Sequence, residues 1–401
     1  MKEKIIKNCD WIIEFCLYLL IFYLPFAKAG IEIFASIAIL VWIIKNVTSH
    51  KLQVTSYLPA TGLNKALGAF IIVNAVTMGT SLHFYLSIKA FFGKVLEYII
   101  LYFIVVETIN NKRRLRNIFI MILVSSMLMV ADAGVQYFKG TDFLRGFASS
   151  RLTASFAAAN GFAGWLIVVI PIILMMLIDM QLIRSKIKKI TLGGLVILLV
   201  ICLGLTYSRG AWIGCVFGLG LIGYYLIKLL RYRDKTLLCL LMIICLVGIS
   251  FILPLTMKER IKSLGDIKSN LYRLDLWRES LNIIEDFPIL GSGLNTYTTI
   301  AHYYKIQNEG GIYPHNSFLQ MAAETGILGL FCFLWIVVEL FKLGIQTLRR
   351  GKDILLLGIL AGILGFLVQS FFDTNLYALQ LAVLFWFMMG LAIAKTKIGI
   401  T

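Results

Sequence analysis

Charge is what this sequence lacks most. Asp, Glu, Lys and Arg together make up 15% of its 401 residues, where soluble domains carry roughly 25%. That scarcity excludes an ordinary soluble fold. Acidic residues are the scarcer sign, 21 against 38 basic ones. The resulting net charge of +17 would suggest nucleic acid in a soluble chain. No basic–aromatic nucleic-acid module accompanies it, however, and the cytoplasmic loops of membrane proteins carry just such an excess of Lys and Arg. No nucleic-acid partner is expected. The seven cysteines (Cys9, Cys16, Cys202, Cys215, Cys239, Cys245 and Cys332) form no CxxC pair and all lie in or beside apolar runs. Neither a disulfide framework nor a zinc site is indicated. The basic start, MKEKIIKNCD, is followed by an apolar run with no small-residue cleavage site, and reads as an uncleaved first span.

What the sequence has instead is apolar length. Hydrophobic residues make up 59% of the chain and mean hydropathy is +0.87. The runs recur at helical length with few charges, so the fold class is all-α integral membrane, since barrel strands would be shorter and alternating. Apolar length gives roughly twelve spans. Their limits are near 11–27, 30–46, 64–80, 87–106, 115–137, 161–183, 190–206, 210–230, 236–255, 316–342, 354–371 and 377–395. No internal repeat is visible, and residues 1–401 read as one polytopic domain.

The loops set the orientation. Clusters at Lys2/Lys4/Lys7, Lys112–Arg116, Arg184–Lys189, Arg231–Lys235, Arg349–Lys352 and Lys395/Lys397 fall at every second loop. The alternate short loops near 28–30, 81–88 and 372–376 hold almost no Lys or Arg. The positive-inside rule makes the basic side cytoplasmic, with both termini inside. Residues 256–313 then form a long extracytoplasmic loop before the tenth span. Its charges balance, so it is no polybasic lipid tether. Within it, Asn270 to Asp286 reads as an amphipathic helix, with Leu271, Leu274, Trp277, Leu281 and Ile284 at helical spacing. Pro288 follows it, and Gly291-Ser292-Gly293 turns the chain back towards the membrane.

Several arginines break the charge rule. Arg145, Arg151, Arg209, Arg273 and Arg278 lie on the outer side, which points to local jobs for them. Arg209 occupies a very short turn, Thr206-Tyr207-Ser208-Arg209-Gly210-Ala211. The alternative for it is a side chain snorkelling at the interface. Arg273 lies one helical turn before Trp277, with Arg278 as a competitor on the same helix; the alternative for both is a solvated face paired with Asp275 or Glu279. Arg151 precedes Thr153-Ala154-Ser155-Phe156 and Asn160-Gly161-Phe162-Ala163, which suggests a re-entrant or capped entry to a span.

His315 stands at the lip of a span, in Pro314-His315-Asn316-Ser317. Imidazole is suited to proton transfer near neutrality. Pro314 favours a helix start just after it, and Asn316 or Ser317 can cap that start, leaving free N–H groups facing any anion in front. The alternative is a helix cap with an incidental interfacial histidine. Lys94 and Glu97 in the fourth span and Asp132 in the fifth are costly there. Lys94 and Glu97 at i, i+3 are expected to neutralise each other. Guanidinium groups fork onto phosphate oxygens, so a lipid diphosphate at the outer leaflet is the natural ligand. The outer loops hold no DxD-like acidic cluster, and phosphate neutralisation by arginine without a metal or other cofactor is the simplest expectation.

Taken in order, Ser208-Arg209-Gly210-Ala211, Arg273 before Trp277, Pro288 with Gly291-Ser292-Gly293, and Pro314-His315-Asn316-Ser317-Phe318-Leu319 with Glu324, Gly326 and Gly329 resemble the O-antigen ligase/polymerase superfamily. The Arg151-to-Asn160 stretch resembles it too, and the similarity spans roughly residues 145–335 by these motifs. The resemblance implies a C-type membrane glycosyltransferase that takes a glycan from undecaprenyl diphosphate at the periplasmic face of the bacterial inner membrane. Ligases of the family pass the glycan to the lipid A core; polymerases pass it to another lipid-linked repeat. The family's proposed catalytic base falls on His315, and its diphosphate-holding arginines fall on Arg209 and Arg273. Arg151 is expected to join them, with Asn316, Glu324, Arg278 and Lys94 in support. Direct displacement would invert the anomeric centre. The expected partners are the lipid-linked donor, the lipid A core or a glycan acceptor, and membrane lipids. A flippase for lipid-linked sugars and a non-catalytic scaffold are the competing classes. A flippase would string its charges through the membrane, whereas the candidates here gather on the outer side.

Overall fold

The computed structural model describes residues 2–49, 59–179, 185–229, 267–306, 313–351 and 353–398. Over these the chain is helical: α1 (Lys2–Tyr23), α2 (Lys28–Thr48), α3 (Asn64–Gly79), α4 (Phe84–Ala90), a π-helical turn (Phe91–Leu96), α5 (Glu97–Thr108), α6 (Lys112–Lys139), α7 (Ala159–Ile178), α8 (Lys186–Leu205), α9 (Arg209–Leu229), α10 (Ile267–Asp286), α11 (Tyr297–Ile300), α12 (Ser317–Arg350), α13 (Ile354–Gln369) and α14 (Leu379–Ile398). Among the described residues seven helices are long and apolar enough to cross a membrane. The protein is an all-α, multi-pass membrane protein. Helices occupy the predicted spans, except that the ninth, at 236–255, lies outside the described residues, as do 256–266 and 307–312 of the long loop.

Helix packing places the site. With lipid outside, helices gain little from apolar burial and approach instead through small residues. α13 is sandwiched between α7 and α9 in this way. A Cβ on Gly218 would lie 2.7 Å from the Ala361 carbonyl oxygen, and one on Gly362 would lie 2.7 Å from that of Val168. Backbones that close fix the end of α13 against the starts of α7 and α9. The turn after α13 (370–374), Asn160 in α7 and Arg209 in α9 therefore share one end of the bundle.

Ion pairs hold the opposite end. Lys45 bridges Asp10 (2.7 Å) and Glu107 (2.6 Å), Arg114 meets Glu14 (2.7 Å), and Lys395 meets Asp353 (2.5 Å). Asp10 and Glu14 lie mid-way along α1, Arg114 near the start of α6, Asp353 at the N-cap of α13, and the others at the ends of α2, α5 and α14. At the site end, Arg145 donates to the Phe26 carbonyl at 2.5 Å, one local job for an arginine that breaks the charge rule.

α12 is broken at Gly326, whose φ is 67°. A break inside a membrane is tolerated only if the freed backbone groups find partners. The Pro288–Gly293 segment supplies them. Ser292 and Gly293 N–H donate to the carbonyls of Ala323 and Glu324 (both 2.9 Å), and Ile327 N–H donates to Pro288 (2.9 Å). Gly291 and Gly326 allow this approach, since a Cβ on either would run into the other segment's backbone. The Gly-Ser-Gly turn is thus a plug in a discontinuous helix.

α10 forms as expected but is rotated. Leu276, Glu279, Ser280 and Ile283 are buried, while Leu274 and Leu281 of the predicted apolar stripe are exposed. Polar partners explain the choice: Ser280 Oγ lies 2.7 Å from the Tyr297 hydroxyl, and Glu279 accepts the Ile306 N–H at 2.9 Å.

Candidate functional site

The start of α12 builds the centre. Asn316 is its N-cap: the backbone is extended, and the side chain accepts the N–H groups of Phe318 (2.9 Å) and Leu319 (3.1 Å). This is the capping role the sequence allowed. His315 just before it has φ 47°, a left-handed conformation uncommon outside glycine. Such strain persists only where the surroundings fix it. Here Pro314 is buried and its carbonyl accepts the Trp277 indole N–H at 3.0 Å. On the other side, Ser317 N–H donates to Ser370 (2.8 Å) and Ser317 Oγ to the Asp373 carbonyl (2.9 Å).

These ties bring His315 Nδ1 to 3.3 Å from Asp373 Oδ1. Asp373 lies in the turn after α13, and no sequence signal marks it: the aspartate sits in a nearly uncharged short loop 58 residues away. Burial alone would raise its carboxyl pKa. The His315 ring, the Thr374 N–H (2.8 Å) and the Asn160 side chain outweigh burial and hold it below the usual carboxylate range. An ionised carboxylate only accepts hydrogen bonds, so the hydrogen is assigned to His315 Nδ1. In the neutral form of the ring the lone pair is then on Nε2, on a side chain 37% exposed.

Three arginines converge here by separate routes. Arg209 opens α9 and is exposed. Its neighbour Gly210 lies against Phe372, where an added Cβ would come 2.7 Å from the Phe372 Cβ. Arg209 therefore stands beside the turn that carries Asp373. Arg273 is one helical turn before Trp277 on α10, on the face that meets Pro314. It is also exposed. Among the described residues no acceptor holds either side chain; Asp275, the expected partner, lies instead 3.5 Å from Arg278. Arg151 is half-buried and braced: its Nε donates to the Thr206 carbonyl (2.8 Å) and its Nη2 to Asn160 Oδ1 (2.9 Å). Asn160 is the residue that bonds Asp373, so a chain of contacts runs Arg151–Asn160–Asp373–His315.

Arg278 is paired with Asp275, its side chain 69% exposed. Lys94 and Glu324 form a second, deeper group. Glu324 is buried and accepts N–H groups from Asn295 (2.8 Å) and Tyr297 (3.3 Å) and the Gln320 amide (3.1 Å). Lys94 reaches the Asn295 side chain at 2.7 Å. The expected Lys94–Glu97 neutralisation is thus replaced by a contact with the loop. The π-turn that carries Lys94 changes the local winding, and π-turns recur at functional positions. A cavity of about 80 Å³ separates these groups from Phe70, Tyr98 and Trp386. Among the described residues no three His, Cys, Asp or Glu side chains gather as a metal set.

A left-handed histidine paired with an aspartate and flanked by two exposed arginines falls largely within a stretch similar to known proteins. Residues 193–334 match the O-antigen ligase family. The matched stretch takes in Arg209, Arg273, His315 and Glu324, and leaves out Lys94, Arg151, Asn160 and Asp373. A candidate polysaccharide ligase of Rickettsia conorii is 30% identical over 162 residues, covering 37% of this chain and 38% of that protein. A candidate polysaccharide ligase of Rickettsia felis is 29% identical over 166 residues, with the same coverage. An uncharacterized protein of Haemophilus influenzae is 26% identical over 222 residues, covering 48% of this chain and 54% of that protein. The aligned part of this chain thus spans 38 to 54% of these relatives. Family and names together point to a ligase- or polymerase-type role in glycan assembly.

Proposed function

We propose that this protein is an inverting membrane glycosyltransferase of the O-antigen ligase type, moving a glycan from undecaprenyl diphosphate to the lipid A core. The observation that carries the reading is the His315–Asp373 pair set between Arg209 and Arg273. His315 Nε2 takes the proton of the acceptor hydroxyl as its oxygen attacks the anomeric carbon. The anomeric carbon–oxygen bond to phosphate breaks, and the diphosphate leaves with the electron pair. Arg209 and Arg273 stabilise the charge that grows on it, with guanidinium forks suited to phosphate oxygens. Asp373 holds the ring in the tautomer that exposes Nε2 and stabilises the imidazolium that forms. Arg151, with its contacts to Thr206 and Asn160, positions Asp373 rather than serving as the main diphosphate ligand. Glu324 and Lys94 fix the Asn295 loop against the broken α12.

The site end of the bundle is periplasmic in this reading, because the basic clusters mark the other end as cytoplasmic. The inner membrane is the location. The deciding experiment incubates purified protein with a lipid-linked glycan, with lipid A core as acceptor or with none. Product on the lipid A core supports the ligase. Longer lipid-linked glycan without that acceptor would make the protein a polymerase instead. No product in either arm would sink the transferase reading.

A further inference from the structure

A cleft of about 190 Å³ opens against the Thr206–Arg209 turn, lined by Tyr207 two residues before Arg209. Its walls are the end of α6 (Gln136, Tyr137), the loop residues Ser149, Ser150 and Arg151, and Tyr207. We propose that this cleft is a saccharide subsite, holding one sugar ring of the donor glycan next to its diphosphate; the assignment to the donor rests on the transferase reading.

Size comes first. A cavity of about 150 Å³ accommodates a benzene ring, so the cleft has room for one six-membered sugar ring and little more. Its chemistry is mixed in the way a sugar requires. Tyr137 and Tyr207 offer aromatic surface for the C–H faces of a ring, and the two serine hydroxyls and the arginine offer hydrogen bonds to its hydroxyls. Ser149, Ser150 and Tyr137 are exposed and reachable by a ligand from outside.

The walls are also rigid. The Gln136 amide donates to Thr153 Oγ1 (2.9 Å), and its oxygen accepts the N–H groups of Thr153 (3.0 Å) and Ala154 (2.8 Å). Tyr207 has φ 52°, left-handed like Ala154 and His315. That conformation lets the turn send Tyr207 into the cleft two residues before Arg209 opens α9. Strain of this kind is kept where the surrounding structure imposes it, often at ligand sites. Arg151 joins the two sites, lining the cleft while bonding Asn160 in the chain that ends at His315. A sugar seated here is therefore one short turn from the guanidinium proposed to hold its diphosphate.

The test uses full-length protein in detergent and a repeat-unit oligosaccharide released from the producing cell's own polysaccharide, with binding followed by calorimetry and saturation-transfer NMR. Wild type binds the oligosaccharide. Ser150→Trp, which fills the cleft from an exposed position, weakens binding about tenfold or more. Tyr137→Ala weakens it as well, and Tyr137→Phe restores it. Undecaprenyl diphosphate without sugar binds wild type and Ser150→Trp alike, which excludes misfolding as the cause. Equal oligosaccharide binding by wild type and Ser150→Trp, or none by wild type, overturns the subsite. The transferase reading fails on a different result: saccharide binding that responds to these substitutions in a protein that makes no transfer product leaves a glycan-binding cleft without the enzyme.

Discussion

Replacing Asp373 by Asn tests the proposed chemistry most directly. The change keeps the shape of the side chain but removes the charge that faces His315. At the observed 3.3 Å, two unit charges attract by about 5 kcal/mol at an effective dielectric of about 20 and by about 1 kcal/mol in water. The His315 side chain is 37% exposed, so solvent screening places the loss in the lower part of that range, about 1–3 kcal/mol. At 1.4 kcal/mol per factor of ten, the transfer rate should fall about 5- to 10²-fold from lost charge alone. An amide that also donates to Nδ1 would turn the ring to the unreactive tautomer, a change that reaches ~10⁴-fold in a comparable histidine–carboxylate pair. His315→Ala sets the floor, with a loss of ~10²–10⁴-fold expected for a general base. The assay is the initial rate of glycan transfer to the lipid acceptor, with expression and melting temperature measured in parallel. The sign of the acid effect follows from the depressed Asp373 pKa. The carboxylate's contribution to stability is fully present above its unfolded value, near pH 4, and disappears as pH falls through the lower folded value. The gap in melting temperature between wild type and Asp373→Asn should therefore hold from neutral pH down to about 4 and close below it. A folded Asp373→Asn protein that transfers within about twofold of wild type would refute the base assignment, since the charge loss alone predicts at least about fivefold.

Arg209→Lys keeps a charge but loses the two-pronged fork, so turnover should drop several-fold, and Arg209→Ala with Arg273→Ala should raise the dissociation constant of a lipid diphosphate; wild-type binding by the double variant would remove both from the site. Gly326→Ala puts a side chain into the backbone of Ile289 and strains a residue at φ 67°, so it should cut yield and melting temperature; a stable protein with unchanged melting would show that the plugged break does not hold the fold. Tyr303, exposed on the loop, should react as Tyr303→Cys with an impermeant thiol reagent outside intact cells; labelling only after permeabilisation would invert the topology and move the site to the cytoplasmic face.

The sequence by itself determined the architecture, because a bilayer reduces the question to length and charge. Apolar runs of spanning length can be satisfied only as helices when charges are few and do not alternate, and the spacing of Lys and Arg orders the loops. It also narrowed the cap to Asn316 or Ser317, with His315 just before it, since capping is local chemistry between neighbours. What only tertiary structure decided is who meets His315. Asp373, from a turn 58 residues away, and Asn160, from the start of α7 155 residues away, are brought in because glycine contacts seat α13 between α7 and α9. No periodicity marks such a meeting. The same holds for α10, whose pattern announced a helix but not its buried face: Ser280 and Glu279 turn inward because Tyr297 and Ile306 satisfy them there. Lys94, which the sequence pairs with Glu97, finds Asn295 across the cavity instead. Local spacing fixes the backbone a residue adopts; the partner it keeps depends on which helices pack closely enough to deliver one.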